Sequence, residues 1–332
     1  MPPSGTIPSV TLPNRLGRLR QVERIGVGGF ASVWRYFDEE LESDVAIKAL
    51  ADNWAQRLDI RERFLQEARI LRRADSDHVV RVYDVGEADG TPYFVMSYAD
   101  RGTVAELLAR KGQLSLELAV PLVIQAGAGL TVLHDLGVVH RDIKPANLLL
   151  RSNGASTRLM VADLGVAKAM LHASGLTHVV GTPAYMAPEQ ALGGGIDQRA
   201  DVYALAAVTY HALTGHVAHT GSIPDLASAS LPPAPSTLAD LSPAVDDVVL
   251  RGLSPDREDR YADVRGFVAA VAGLVTSDAH TLLVSPPEMY LMRTGPTVEE
   301  RPGLGAAMLT ALCLLVVLAT FGLGYAATTL LR

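Results

Sequence analysis

Apolar and polar residues alternate through positions 17–50, and the alternation breaks at 26–29 and again around 39–43. A period of two marks half-buried strands, so this stretch predicts strands joined by turns at those breaks. Over 57–73 the period lengthens, and Ile60, Phe64, Ala68 and Leu71 fall on one face of a helix. Residues 79–85 and 93–96 return to the strand pattern. Beyond residue 102 the pattern is mostly helical: 103–110, then 116–136 with Gly137 as its stop signal, then a buried apolar helix over 201–213. A Pro/Ala/Ser-rich surface loop is predicted over 222–242, and helices over 244–253 and 262–274 close the fold; no internal repeat is found. A sheet-rich part followed by a helical part implies two lobes, meeting at a cleft near 97–102.

The ends of the chain have a different character. Residues 1–15 contain Pro, Ser and Thr without an apolar core and predict a disordered arm, not a signal peptide. Residues 276–302 read as a flexible juxtamembrane linker. Residues 303–331 carry no charge. As a helix they would reach roughly 44 Å, against a hydrocarbon core of about 30 Å, which predicts a single transmembrane helix. Arg293 and Arg301 before it favour a cytoplasmic linker, and thus a cell-membrane protein whose main domain faces the cytoplasm. Ala307 with Ala311, and Gly322 with Ala326, have the small-residue spacing of a helix–helix contact, so a homodimer is one reading.

Composition narrows the function. The 332 residues are 20% charged and 48% hydrophobic, with a net charge of −7. That balance, with no Lys/Arg-rich block, argues against nucleic acid as a partner. Cys313 is the single cysteine, so neither a disulfide framework nor a thiolate zinc site is available.

The chemistry concentrates in His140-Arg141-Asp142-Ile143-Lys144-Pro145-Ala146-Asn147. A carboxylate, an ammonium and an amide at these offsets are the groups needed to orient a hydroxyl, neutralise a phosphoryl oxygen and hold a divalent cation. Upstream, Gly26-Val27-Gly28-Gly29-Phe30-Ala31-Ser32-Val33 lies between two predicted strands, where missing side chains let the backbone approach phosphates. It is not a Walker loop, since no Gly-Lys-Ser/Thr follows. Val45-Ala46-Ile47-Lys48 places one lysine in an apolar strand, and Glu67 sits mid-helix where it can project toward that strand. Asp163-Leu164-Gly165 follows the short strand 159–162, sixteen positions after Asn147.

Together these motifs resemble a bacterial, eukaryotic-like (Hanks-type) serine/threonine protein kinase of the membrane-anchored actinobacterial kind, over roughly residues 16–275. The resemblance implies an α+β, two-lobed protein kinase fold, with a β-rich N-lobe over 16–97 and a helical C-lobe over 102–275, followed by the transmembrane helix. It implies an ATP:protein phosphotransferase acting on Ser/Thr hydroxyls of protein substrates, with ATP and Mg2+ (or Mn2+). In that reading Asp142 handles the acceptor hydroxyl proton, Lys144 stabilises the transferring group, and Lys48 and Glu67 form the pair that holds the phosphates. Asn147 and Asp163 hold the metal. Ile25, Gly26, Val27, Gly28, Gly29, Phe30, Ala31, Ser32 and Val33, with Ala46, Met96, Tyr98 and Leu149, bind the nucleotide. Thr182, Glu189, Asp201 and Arg260 have structural roles: Thr182 bonds the catalytic pair, Glu189 pairs with Arg260, and Asp201 braces the catalytic loop. Thr177 and Ser174 are candidates for autophosphorylation, with Arg141 as the partner of the new phosphate. The chain departs from the family pattern at Ala31, where a third glycine is usual, at Leu164, where Phe is usual, and at Ser97, where an acidic residue is common. The alternative is a pseudokinase or a membrane-tethered ATP-binding scaffold, which loss of Asp142, Asn147 or Asp163 would have favoured.

Overall fold

The alternation near the start of the chain folds into one antiparallel sheet. The computed structural model describes residues 12–165, 183–221 and 230–275. Its strands are β1 (Arg15–Leu16), β2 (Leu19–Val27), β3 (Ala31–Asp38), β4 (Ser43–Leu50), β5 (Val82–Ala88) and β6 (Thr91–Ser97), in the spatial order β1-β2-β3-β4-β6-β5. Register shifts in β2 between Gln21 and Glu23 and between Arg24 and Gly26 are bulges, which bend the strand and strengthen its twist ahead of the glycine-rich turn. Strand β4 lies inside the sheet and is buried from Val45 to Leu50. Val45, Ile47 and Ala49 pack with Tyr36 and Leu12 on one face, and Ala46 and Lys48 point into the cleft on the other.

Leu12 corrects the extent of the expected N-terminal arm. It is 2% exposed, and the Tyr36 hydroxyl donates to the Pro13 carbonyl at 2.7 Å. Residues 12–14 therefore pack against the sheet ahead of β1, because an apolar anchor at Leu12 repays the cost of ordering them.

Helices α1 (Asp52–Ala55) and α2 (Leu58–Arg73) follow β4. The expected apolar face of α2 is buried, and Glu67 is buried with it. Phe64 packs on Phe94 of β6 with ring centroids 5.0 Å apart, which fixes the rotation of α2 against the sheet. The run expected as one strand over 79–85 divides. Val79 and Val80 pair with Val161, and β5 begins only at Val82.

The helical part comprises α3 (Val104–Lys111), α4 (Leu116–Asp135), α5 (Pro188–Leu192), α6 (Arg199–Thr214), α7 (Pro243–Gly252) and α8 (Val264–Ala272) among the described residues. A capping box between Thr103 and Glu106 starts α3. Helix α4 is long and apolar enough to cross a membrane by length and composition, yet Val120, Val123, Ala126, Leu130 and Leu133 are buried in this lobe. Its hydrophobicity serves the core, and it ends before Gly137, whose φ of 75° few other residues adopt readily. Helix α6 is mostly apolar and buried nearly all round, with Asp201 among its buried residues. Between α3 and α6 lies a two-stranded hairpin, β7 (Leu148–Asn153) and β8 (Ser156–Val161).

The loop expected over 222–242 is not structureless in its described part. Residues 235–237 form a 3-10 turn, and the Ser236 N–H donates to Asp246 at 2.8 Å. The linker over 276–302 and the helix over 303–331 lie outside the described residues.

Candidate active site

The hairpin explains why two residues sixteen positions apart can serve one site. Leu148 pairs with Val161, so Asn147, just before β7, meets Ala162, just after β8, and the Ala162 N–H donates to the Asn147 carbonyl at 3.0 Å. Asp163 comes next in the chain. It has a left-handed backbone, φ 65°, as does Arg141 in the loop beside it. Two non-glycine residues in that sparsely populated region, held close together by the loop and the hairpin, are the kind of local strain that surrounding structure maintains at functional sites.

Helix α6 supplies much of that hold. Asp201 is fully buried and accepts from the His140 N–H at 2.7 Å, the Arg141 N–H at 2.8 Å and the His134 ring N–H at 2.8 Å. His140 is also fully buried. The Asp142 N–H donates to its Nδ1 at 3.3 Å, which leaves Nε2 as the protonated nitrogen donating to the Ala162 carbonyl at 2.9 Å. The imidazole therefore ties the catalytic loop to the end of β8 and is spent in doing so. Gly165 closes the circuit with an N–H bond to the His140 carbonyl at 3.1 Å. A Cβ at Gly165 would lie 3.0 Å from that same oxygen, so the close approach requires glycine.

Within this frame the polar side chains converge. Lys144 Nζ contacts both Asp142 carboxylate oxygens, at 3.2 and 3.0 Å. The Asn147 amide donates to the Asp142 carbonyl at 2.7 Å and to its Oδ2 at 3.0 Å. Both donations come from Nδ2, which leaves the amide oxygen of Asn147 as the group available to a cation. Across the cleft, Lys48 Nζ bonds Glu67 Oε1 at 2.7 Å and also Asp163 Oδ1. Burial by itself would lower the Lys48 ammonium, but the Asp163 and Glu67 carboxylates outweigh it and hold the group above its ordinary value. Lys48 is thus a fixed positive charge between the sheet and the hairpin.

The donor set fits a hard divalent cation such as magnesium. It offers one amide oxygen, Asn147, and one carboxylate, Asp163, whose side chain is 46% exposed. Among the described residues no group of three His, Cys, Asp or Glu is placed to enclose a metal alone. Magnesium does not need one, since it keeps waters and takes phosphate oxygens.

A cleft of about 440 Å³ connects these groups. Of the residues expected at the nucleotide, Ile25, Gly26, Val33, Ala46, Lys48, Met96, Tyr98 and Leu149 line it. Val27, Gly28, Gly29, Phe30, Ala31 and Ser32 do not. Trp54 of α1 holds the tip of the turn, its indole N–H donating to the Gly29 carbonyl at 2.9 Å while its ring packs on Phe30 at 5.2 Å. The turn is held toward α1, and Ser32 is buried on the other side of β3 from Val33. Sequence reading missed Trp54 at the turn, and it missed Val80 and Phe94, which line the cleft. Their apolar character gave no sign beyond an ordinary core position.

Two expected structural residues meet across a long stretch of chain. The Arg260 guanidinium grips the Glu189 carboxylate at 2.7 and 2.9 Å, donates to the Ser254, Arg199 and Pro255 carbonyls, and lies 4.9 Å from the Tyr203 ring. The expected hydroxyls Ser174, Thr177 and Thr182 lie outside the described residues.

A curled sheet, a helical lobe and a cleft with a lysine between two carboxylates on one side and an Asp–Lys–Asn cluster on the other define a two-lobed architecture with a polar site at the cleft. Residues 19–261 match the family described as protein kinase domain, and the chain belongs to that family. It is 35% identical over 302 residues to the serine/threonine-protein kinase Pkn1 of Myxococcus xanthus, covering 88% of this chain and 43% of that one. It is 32% identical over 320 residues to PknB of Mycolicibacterium smegmatis, covering 88% and 50%. The chain thus spans about half the length of the curated relatives it matches. The crystal structure of the Mycobacterium tuberculosis PknI kinase domain superposes with a TM-score of 0.63 at 26% identity, covering 82% of this chain and all of that one.

Proposed function

We propose that the chain is a serine/threonine protein kinase that uses Mg-ATP. The observation that carries this reading is the convergence of Lys48, Glu67 and Asp163 with Asp142, Lys144 and Asn147 at one cleft. Ile25, Val33, Ala46, Met96 and Leu149 would enclose the adenine ring, and Lys48 would meet the phosphates. Asn147 and Asp163 would hold the metal, which supplies neutralising charge for the phosphate oxygens. Asp142 would orient the acceptor hydroxyl and take its proton as the new O–P bond forms and ADP leaves. Lys144, already at the Asp142 carboxylate, would face the charge on the transferring group. The chemistry needs positioning more than covalent participation, and the loop is built for positioning: its backbone N–H groups are held by Asp201.

The same reading extends to regulation and location. Thr177 or Ser174 would take phosphate from the kinase itself, with Arg141 as partner. Residues 303–331, uncharged and long enough to span a bilayer, would tether the kinase at the cytoplasmic face of the cell membrane, with their small residues available for homodimer contacts.

The test is transfer of labelled γ-phosphate from ATP to a protein rich in serine and threonine. Label on Ser or Thr that requires added magnesium or manganese and stops on chelation is the expected result. Label on tyrosine alone, or transfer that is indifferent to chelation, would overturn the assignment.

A further inference from the structure

A second cavity, of about 680 Å³, adjoins the catalytic loop and shares Ala146 with the nucleotide cleft. Its lining includes Leu108 and Ala109 of α3, Lys144 and Pro145 of the loop, and Tyr185 and His211. Lys144 belongs to both sites, since its ammonium reaches the Asp142 carboxylate and its stem lines this cavity. The cavity therefore starts one side chain away from the carboxylate that would receive the acceptor hydroxyl.

The lining is specific in its chemistry. Among the described residues that form it, Lys144 is the only Lys or Arg and there is no Asp or Glu. The Tyr185 hydroxyl donates to His211 Nδ1 at 2.7 Å, so the phenol proton is engaged within the lining and the imidazole N–H lies on Nε2. Burial, reinforced by His216, holds His211 below its ordinary value, and burial pushes Tyr185 up to about 12. Both are neutral near pH 7, with the phenol as donor and the imidazole as acceptor.

We infer that this cavity receives a bulky uncharged apolar side chain of the protein substrate, about two to four residues from the phosphorylated Ser or Thr, and rejects Lys or Arg there. The spacing follows from an extended chain, which advances about 3.3 Å per residue from the hydroxyl at Asp142. A leucine or phenylalanine exchanges water for Ala105, Ala109 and the Tyr185 ring. A substrate arginine would instead be desolvated beside Lys144 with no carboxylate in the described lining to pair with it. The inference rests on the kinase reading and names the substrate class of that same site.

The experiment uses the full chain, Mg-ATP and serine peptides that differ in one residue, Leu, Phe, Ala, Arg or Glu, scanned through four positions on either side of the serine. At one or two positions kcat/KM for Leu or Phe should exceed that for Arg by about tenfold or more, the scale on which an apolar pocket discriminates. Ala109→Glu, at an exposed position outside the nucleotide cleft, adds the missing carboxylate. It should reduce or reverse the preference at those positions while KM for ATP stays within about twofold. Peptides phosphorylated at equal rates whatever the neighbour, or a preference that Ala109→Glu leaves intact, would overturn the inference and leave the kinase reading standing. Failure to phosphorylate any peptide or protein would overturn both.

Discussion

Lys48→Met is expected to lower phosphoryl transfer by about a hundredfold or more, the usual cost of removing one preorganised electrostatic group from a reacting centre. The ammonium sits 2.7 Å from Glu67 and also bonds Asp163, so it links α2, β4 and the end of β8. Methionine fills a similar volume without the charge, which separates electrostatics from packing. The loss should appear in kcat as well as in KM for ATP, because the ammonium both fixes the phosphates and balances charge as it redistributes. Glu67→Gln keeps a hydrogen-bond acceptor and should lose less. Lys48 is raised above its ordinary value, so its contribution is fully present below the unfolded lysine's range and fades only as pH climbs through the still higher folded value. A neutral-range limb in the pH–rate profile must therefore come from another group. Steady-state rates for the three proteins check this, and a Lys48→Met enzyme within tenfold of the parent would contradict it.

Arg260→Ala is expected to destabilise the kinase domain by about 3–5 kcal/mol, the cost of breaking a buried ion pair from one side. The Arg260 side chain has no exposed surface and that of Glu189 is 14% exposed. All three guanidinium nitrogens are engaged, by the Glu189 carboxylate or by the Ser254, Arg199 and Pro255 carbonyls. Alanine strands that carboxylate and three backbone acceptors together. Lysine should not rescue, because a point charge cannot reproduce the planar bidentate grip. Denaturant midpoints for the parent, Arg260→Ala and Arg260→Lys check this, and a loss below about 1 kcal/mol, the range of exposed pairs, would contradict it.

How much of the fold and site is legible in the sequence depends on whether the signal is local. The alternation of β2 to β4 and the apolar face of α2 need only a window of sequence, and they emerge with boundaries within a few residues. Strand β7 escapes sequence reading because Leu148, Leu149 and Leu150 extend the catalytic loop as an unbroken apolar run, which has no period to read. The division of 79–85 is illegible for a related reason: Val79 and Val80 pair with Val161, a partner far along the chain. The catalytic positions can be named because their spacing is imposed by a single hairpin and a single loop. The glycine-rich turn reads as a phosphate cover throughout, yet Trp54, twenty-five residues from Gly29, draws its tip toward α1. No pattern in the turn itself announces that partner.

The measurement closest to the central claim compares the parent with Asp142→Asn for two quantities in the same preparation, ATP binding and phosphate transfer to protein. Asparagine keeps the size of the side chain and an oxygen for Lys144, and it removes the base. Nucleotide affinity should remain within a few-fold, because Asp142 lies outside the cleft that encloses the nucleotide. Transfer should fall by about 10²–10⁴, the contribution of a positioned general base. Transfer that survives Asp142→Asn with unchanged rate would contradict the assignment of this loop as the catalytic centre.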